Sequence, residues 1–183
     1  MSNLKQAIKQ NYLKCVQDPS YFINQYCIIQ HPQRGKIKFK LYPFQKDVLK
    51  EYQEHDYNVI LKSRQLGIST LSAAYSLWLM LFHNDKNVLC IATTKDTAKN
   101  LVTKVRIMYD GLPAWLKTAM DENNKLSLRF KNGSQIKAIA SNESAGRSEA
   151  LSLLILDEAA FIEKIDTIWT AAQQTLATGG QCL

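Results

Sequence analysis

Two short apolar runs each end in residues able to do chemistry. Val59-Ile-Leu61 leads into Lys62-Ser-Arg-Gln-Leu-Gly-Ile-Ser-Thr70, and Leu153-Leu-Ile-Leu156 leads into Asp157-Glu158. A strand, a tight turn closing on Gly67 and a helix start aim backbone N–H groups and a helix N-terminus at one point, as a polyphosphate requires. A carboxylate at a second strand end, Asp157, suits Mg²⁺, and Glu158 beside it can orient or deprotonate a water. Together they predict the apparatus for hydrolysing a nucleoside triphosphate.

The loop departs from the pattern G-x-x-x-x-G-K-[ST]. Gly67 takes the place of its second glycine and Ser69 that of its hydroxyl, which leaves Lys62 at the first glycine and Ile68 at the lysine. Phosphates need a positive charge rather than a charge at one sequence position. Lys62, at the strand end, and Arg64, inside the loop, can each curl over the β- and γ-phosphates; both can also simply solvate a βα-loop. Ser69 can ligate Mg²⁺ or serve as a plain N-cap. Asp157 emerges at a strand's carboxyl end, where ligands gather in open α/β sheets, and a buried carboxylate there calls for a metal or a partner. Glu158 can act on water or be an ordinary acid at a helix N-terminus. Upstream, Tyr42-Pro-Phe-Gln45 holds an amide that can donate and accept at an adenine edge, or lie exposed on a helix. Arg147 lies between Ser141-Asn-Glu-Ser144 and the Asp-Glu strand. It can stabilise charge on a γ-phosphate, in its own subunit or a neighbour's, or hold its loop by a salt bridge.

The elements that must position these residues follow from the apolar pattern. Helices are expected over 3–15 and 21–27, a turn at 31–35, a short strand over 36–41 and a helix from Pro43 to about His55. Then come strand 59–61, a nearly all-apolar helix 70–82, strand 88–92, helix 94–109 and a short helix 113–120. A hairpin of 126–130 and 135–140 turns on Asn132-Gly133, which suits a primed turn. Strand 151–156 and helix 165–176 complete the order. Alternating strands and helices imply an α/β fold with a mostly parallel sheet covered on both faces. Residues 1–40 read as a small helical appendage and 41–183 as the core. Gly179-Gly180 reads as a helix stop and Gln181-Cys-Leu183 as the start of a further strand, so the core is expected to continue past this sequence.

The 183 residues suit one full-sized domain. The chain starts with Met and shows no secretory-type leader, and its longest apolar stretch, Leu77 to Phe82, is too short for a bilayer. Four scattered cysteines and three histidines make no zinc pattern and fit a reducing, intracellular setting. A net charge of +7, from 23 Lys and Arg against 16 Asp and Glu, supports contact with nucleic acid or reflects ordinary surface charge.

The combination resembles the ATPase domain of the large terminase subunit of tailed bacteriophages, the motor that pumps double-stranded DNA into a procapsid. The matching pieces are Leu41-Tyr-Pro-Phe-Gln45, the 62–70 loop, Ile91-Ala-Thr-Thr94, Ser141-Asn to Gly146-Arg147, and Leu153-Leu-Ile-Leu-Asp-Glu-Ala-Ala-Phe-Ile162. The resemblance implies a three-layer P-loop NTPase fold of ASCE type, with ATP and Mg²⁺ as cofactors. It assigns Gln45 to adenine, and Lys62, Ser63, Arg64, Gln65, Leu66, Gly67, Ile68, Ser69 and Thr70 to the phosphates. Ser69 and Asp157 then hold the metal, and Glu158, Lys62, Arg64 and Arg147 serve catalysis, Arg147 by completing a neighbouring subunit's site. Implied partners are double-stranded DNA, portal protein, the small terminase subunit and further copies in a ring, with no membrane. The implied location is the host cytoplasm, transiently at the procapsid portal. The Thr/Ser-rich coupling segment and the nuclease domain of that family are not in this sequence. A helicase-like NTPase acting on nucleic acid, or a nucleotide-binding assembly module without turnover, also fits the residues.

Overall fold

The structure is a computed structural model that describes residues 2–141 and 150–183. Helices α1 (Ser2–Gln17) and α2 (Pro19–Tyr26) come first, and Asp18 caps the second by accepting a hydrogen bond from the Ser20 N–H. Strands β1 (Ile28–His31) and β2 (Gly35–Lys38) form a separate antiparallel pair. Helix α3 (Pro43–Glu54) follows, then α4 (Ile68–Phe82), β3 (Asn87–Ala92) and α5 (Lys95–Asp110). Next are β4 (Met120–Asn123), β5 (Ser127–Phe130), β6 (Gln135–Ala140), β7 (Leu153–Leu156), α6 (Ile165–Leu176) and β8 (Gln181–Cys182).

Six strands form one sheet in the order β4-β5-β6-β3-β7-β8. The pairs β6–β3, β3–β7 and β7–β8 are parallel, while β4–β5 and β5–β6 are antiparallel. Side-chain alternation along the strands creates three layers. Val88, Cys90, Ala92, Leu153 and Ile155 face the core built with α2, α4 and α5, whereas Leu89, Ile91 and Leu154 face Ile168, Ala172 and Leu176 of α6. Helix α4 is buried along twelve of its fifteen residues, which is why its sequence is apolar all round. The N-terminal helices share that core: Phe22 meets Phe82 edge to face, and the Trp78 indole N–H donates to Cys15 O at 2.7 Å.

Four expectations need correction. Val59–Leu61 is not a sheet strand. Only Tyr57 makes a parallel bridge, to Cys182, and Val59 and Leu61 lie fully in solvent. The strand alongside is only two residues long, and its last ladder bond to this segment comes from the Asn58 N–H to Cys182 O. The turn at Asn132-Gly133 is not primed, because Gly133 has positive φ and Asn132 does not. The Gly133 N–H bonds to Phe130 O and the Phe130 N–H to Ser134 O, a wider loop with one left-handed residue. Residues 113–120 hold only a single 3₁₀ turn, Ala114–Leu116, and run on into β4. Finally, β1 fills the gap that the sequence pattern left open before β2.

Candidate functional site

Helix α3 buries the stripe Gln45, Leu49 and Tyr52, positions i, i+4 and i+7 on one face. Pro43 starts the helix, and the amide of Gln45 closes its first turn: Oε1 accepts from the Tyr42 N–H at 3.1 Å. The other end of that amide reaches the loop, where Nε2 donates to Leu66 O at 2.9 Å. Gln45 is 2% exposed. It therefore holds the 62–67 loop from behind.

The loop itself carries two left-handed residues, Gln65 at φ 65° and Gly67 at φ 73°. Gly67 is needed for that backbone and for space, because a Cβ there would sit 2.9 Å from Gln45 Nε2. Helix α4 starts directly after it with no side-chain cap, and its first intrahelical bond runs from the Leu71 N–H to Gly67 O. Its first-turn N–H groups, from Ile68, Ser69 and Thr70, have no acceptor among the described residues. That makes an anion cradle. Ile68, at the place where the motif has lysine, is buried in the core.

Ser69 and Asp157 meet. The Ser69 hydroxyl donates to Asp157 Oδ1 at 2.8 Å, joining the start of α4 to the end of β7 across 88 residues. The Asp157 N–H donates to Ile91 O at 3.0 Å, so the parallel register of β3 and β7 fixes the carboxylate's backbone at the carboxyl edge of the sheet. Glu158 follows at φ 58°, a left-handed position that is uncommon outside glycine, and its exposed carboxylate makes no bond among the described residues. Lys62 and Arg64 likewise form no ion pair among the described residues. Lys62, Arg64, Ser69, Asp157 and Glu158 line one cavity of about 580 Å³.

The structure thus gathers the charged residues expected from the sequence around one space and puts Gln45 behind the loop. Ser63, Gln65, Leu66, Gly67 and Thr70 form the loop and helix start, and Arg147 lies outside the described residues. Tyr52 and Ser72 were not expected at the site. The Tyr52 hydroxyl pairs with Ser72 Oγ at 3.1 Å under the cavity, and burial pushes the phenol pKa up to about 12. The polar Gln45 on an otherwise apolar stripe was the available signal for this face.

Two hard oxygen donors beside unpaired cations fit Mg²⁺ and a triphosphate. The one group of three metal-binding side chains among the described residues lies elsewhere: Glu51, Glu54 and His55, exposed at the far end of α3, with ligand atoms within 4.8 Å of one another. No helix among the described residues is long and apolar enough to cross a membrane.

A family described as "Terminase large subunit, T4likevirus-type, N-terminal" matches residues 59–181. Among solved structures, the large terminase of bacteriophage HK97 is similar with a TM-score of 0.72 and 21% identity, over 92% of this chain and 36% of that one. The large terminase ATPase domain of Thermus phage P74-26 gives 0.61 and 22%, over 79% and 64%. The large terminase of another thermophilic bacteriophage gives 0.59 and 15%, over 79% and 38%. The chain spans less than two thirds of each of those proteins. At these identities the likeness establishes the fold alone, three layers around a mostly parallel central sheet.

Proposed function

The chain belongs to the T4likevirus-type terminase large subunit family, in its N-terminal region, and on that premise we propose that its cradle is a Mg²⁺-dependent ATPase site. The observation that carries this reading is the 2.8 Å bond between Ser69 and Asp157, which brings the helix start and the strand end to one cavity with Lys62 and Arg64. The N–H groups at the start of α4 bind phosphate oxygens, and Lys62 and Arg64 neutralise charge on the outer two phosphates. Ser69 Oγ and an Asp157 oxygen would hold Mg²⁺, which when bound offsets charge on the β- and γ-phosphates. Glu158 takes a proton from the attacking water at its carboxylate. Arg147 serves a neighbouring subunit's site.

Residues 41–183 carry this machinery, and residues 1–40 buttress it through α4. The assembly proposed is a ring of copies acting in the host cytoplasm at the procapsid portal, with portal protein and small terminase subunit as partners. Hydrolysis there drives double-stranded DNA into the procapsid. The test is release of labelled phosphate from ATP by the chain with Mg²⁺ titrated in. Activity should require Mg²⁺, and Asp157→Asn should lose the Mg²⁺-dependent hydrolysis. Hydrolysis that is unchanged by EDTA, or by Asp157→Asn, would refute the site.

A further inference from the structure

Helix α4 begins with no side-chain cap, and its first-turn N–H groups have no acceptor among the described residues. A start of that kind holds one geometry only if it is tied from the side. Helix α3 supplies two ties from a single face. Gln45 Nε2 donates to Leu66 O, just before the start, and the Tyr52 hydroxyl pairs with Ser72 Oγ at 3.1 Å, just after it. Ser69, whose hydroxyl meets Asp157, lies between the two ties and shares a face of α4 with Ser72, one turn away. Tyr52 is itself anchored from the sheet, because Gln181 Nε2 of β8 donates to Tyr52 O at 2.8 Å.

The Tyr52–Ser72 pair has more hydrogen-bonding capacity than it uses. Tyr52 is 0% exposed and Ser72 4% exposed, and burying two hydroxyls brings no packing that apolar side chains of the same shape would not. Two hydroxyls bring two protons and four lone pairs. Their bond to each other takes one of each, and neither oxygen has another partner among the described residues. Both residues line the cavity that Ser69 and Asp157 share. Burial pushes the Tyr52 phenol up to about 12, and the charge of Asp157 acts in the same direction, so the pair stays neutral and keeps both a donor and acceptors there. Mg²⁺ retains several of its waters, and groups that hold a metal's ligands from behind set its affinity.

We infer that Tyr52 and Ser72 are positioning residues of the metal site. Their pair fixes the face of α4 that carries Ser69, and its unspent oxygens accept hydrogen bonds from waters on the metal. The inference rests on the reading of the cradle as a site for Mg²⁺ and a triphosphate, and the experiment separates the two.

Calorimetric titration of the chain with tripolyphosphate, with and without Mg²⁺, is the measurement; the ratio of the two affinities is the gain due to the metal. Tyr52→Phe and Ser72→Ala should each lower that gain by about tenfold or more, while the affinity without Mg²⁺ stays within about threefold of the parent's. The double variant should lose no more than the larger single loss, because the hydroxyls act as a pair. Tyr75→Phe separates this effect from a loss of stability. The Tyr75 hydroxyl donates to Gln181 Oε1 at 3.0 Å and its ring packs on Tyr52 with centroids 5.4 Å apart, but Tyr75 does not line the cavity. That variant should lower the melting temperature as Tyr52→Phe does and keep the metal's gain. The inference is overturned if Tyr52→Phe keeps the gain within about twofold of the parent, or if Tyr75→Phe lowers it as far as Tyr52→Phe does. A parent chain whose affinity for tripolyphosphate does not rise with Mg²⁺ would overturn the metal site and this inference with it, whereas a gain that survives in both hydroxyl variants overturns this inference alone.

Discussion

Gly67→Ala tests the loop geometry on which everything else depends. The residue sits at φ 73°, and an added Cβ would lie 2.9 Å from Gln45 Nε2. A left-handed conformation costs a residue with a Cβ about 1–2 kcal/mol. Displacing the Gln45 amide from Leu66 O adds about 0.5–1.5 kcal/mol for the lost hydrogen bond. The smaller unfolded-state entropy of alanine gives back about 0.4–1 kcal/mol. The net loss is about 2 kcal/mol, which for a chain of this size lowers the melting temperature by about 4–8 °C. Denaturant unfolding followed by tryptophan fluorescence measures it, and calorimetry with tripolyphosphate should show weaker binding in parallel. Repeating the substitution in a Gln45→Ala background removes the clash, so the cost should fall by about 0.5–1.5 kcal/mol. A loss under about 0.5 kcal/mol, or a cost that is the same in both backgrounds, would show that the left-handed turn and its tether are wrong.

Lys62→Ala should weaken binding of the triphosphate more than that of adenosine, because the ammonium lines the cavity with no partner of its own among the described residues; equal losses in a calorimetric comparison would remove Lys62 from the phosphates. Glu158→Gln should leave Mg-ATP binding intact and lower turnover by about 10² or more, since it removes the base but keeps the shape. Turnover within about threefold of the parent would make Glu158 structural. For Arg147, mixing Arg147→Ala chains with Glu158→Gln chains should restore part of the activity, because some interfaces then pair an intact arginine with an intact glutamate; a trans arginine contributes about 10³–10⁵ in rate. No complementation in an assembly shown to be mixed would place Arg147 in its own subunit's site or in the fold.

The elements legible in the sequence are those whose side chains meet one environment throughout. Helix α4 and strand β3 are apolar because they are buried, and α6 alternates with the period of a helix lying on one sheet face. Strands β1 and β4 are not legible in this way. Each is four residues long with at most half-buried side chains, so neither carries a two-residue alternation that stands out from a loop. Val59–Leu61 misleads for the converse reason. Its composition is that of a core strand, yet backbone pairing decides whether a segment joins a sheet, and β8 bridges only Tyr57 of this stretch.

The site divides along the same line. Which residues carry charge can be read directly from the sequence, and Lys62, Arg64, Ser69, Asp157 and Glu158 do line one cavity. What each polar group bonds to depends on neighbours distant in sequence. Ser69 could cap its helix or meet a carboxylate; only the parallel register of β3 and β7 places Asp157 within 2.8 Å of it. Gln45 could stand in solvent or at a base, and its place on the buried stripe with Leu49 and Tyr52 takes it out of solvent and sets its amide against Leu66. Ile68 shows the same logic in reverse. A lysine there would have to escape a core position, whereas isoleucine fills it, and the positive charges that line the cavity are Lys62 and Arg64 of the loop. The cradle is therefore a consequence of packing: α3 holds the loop from behind, the core takes the residue after Gly67, and the groups left over face the cavity.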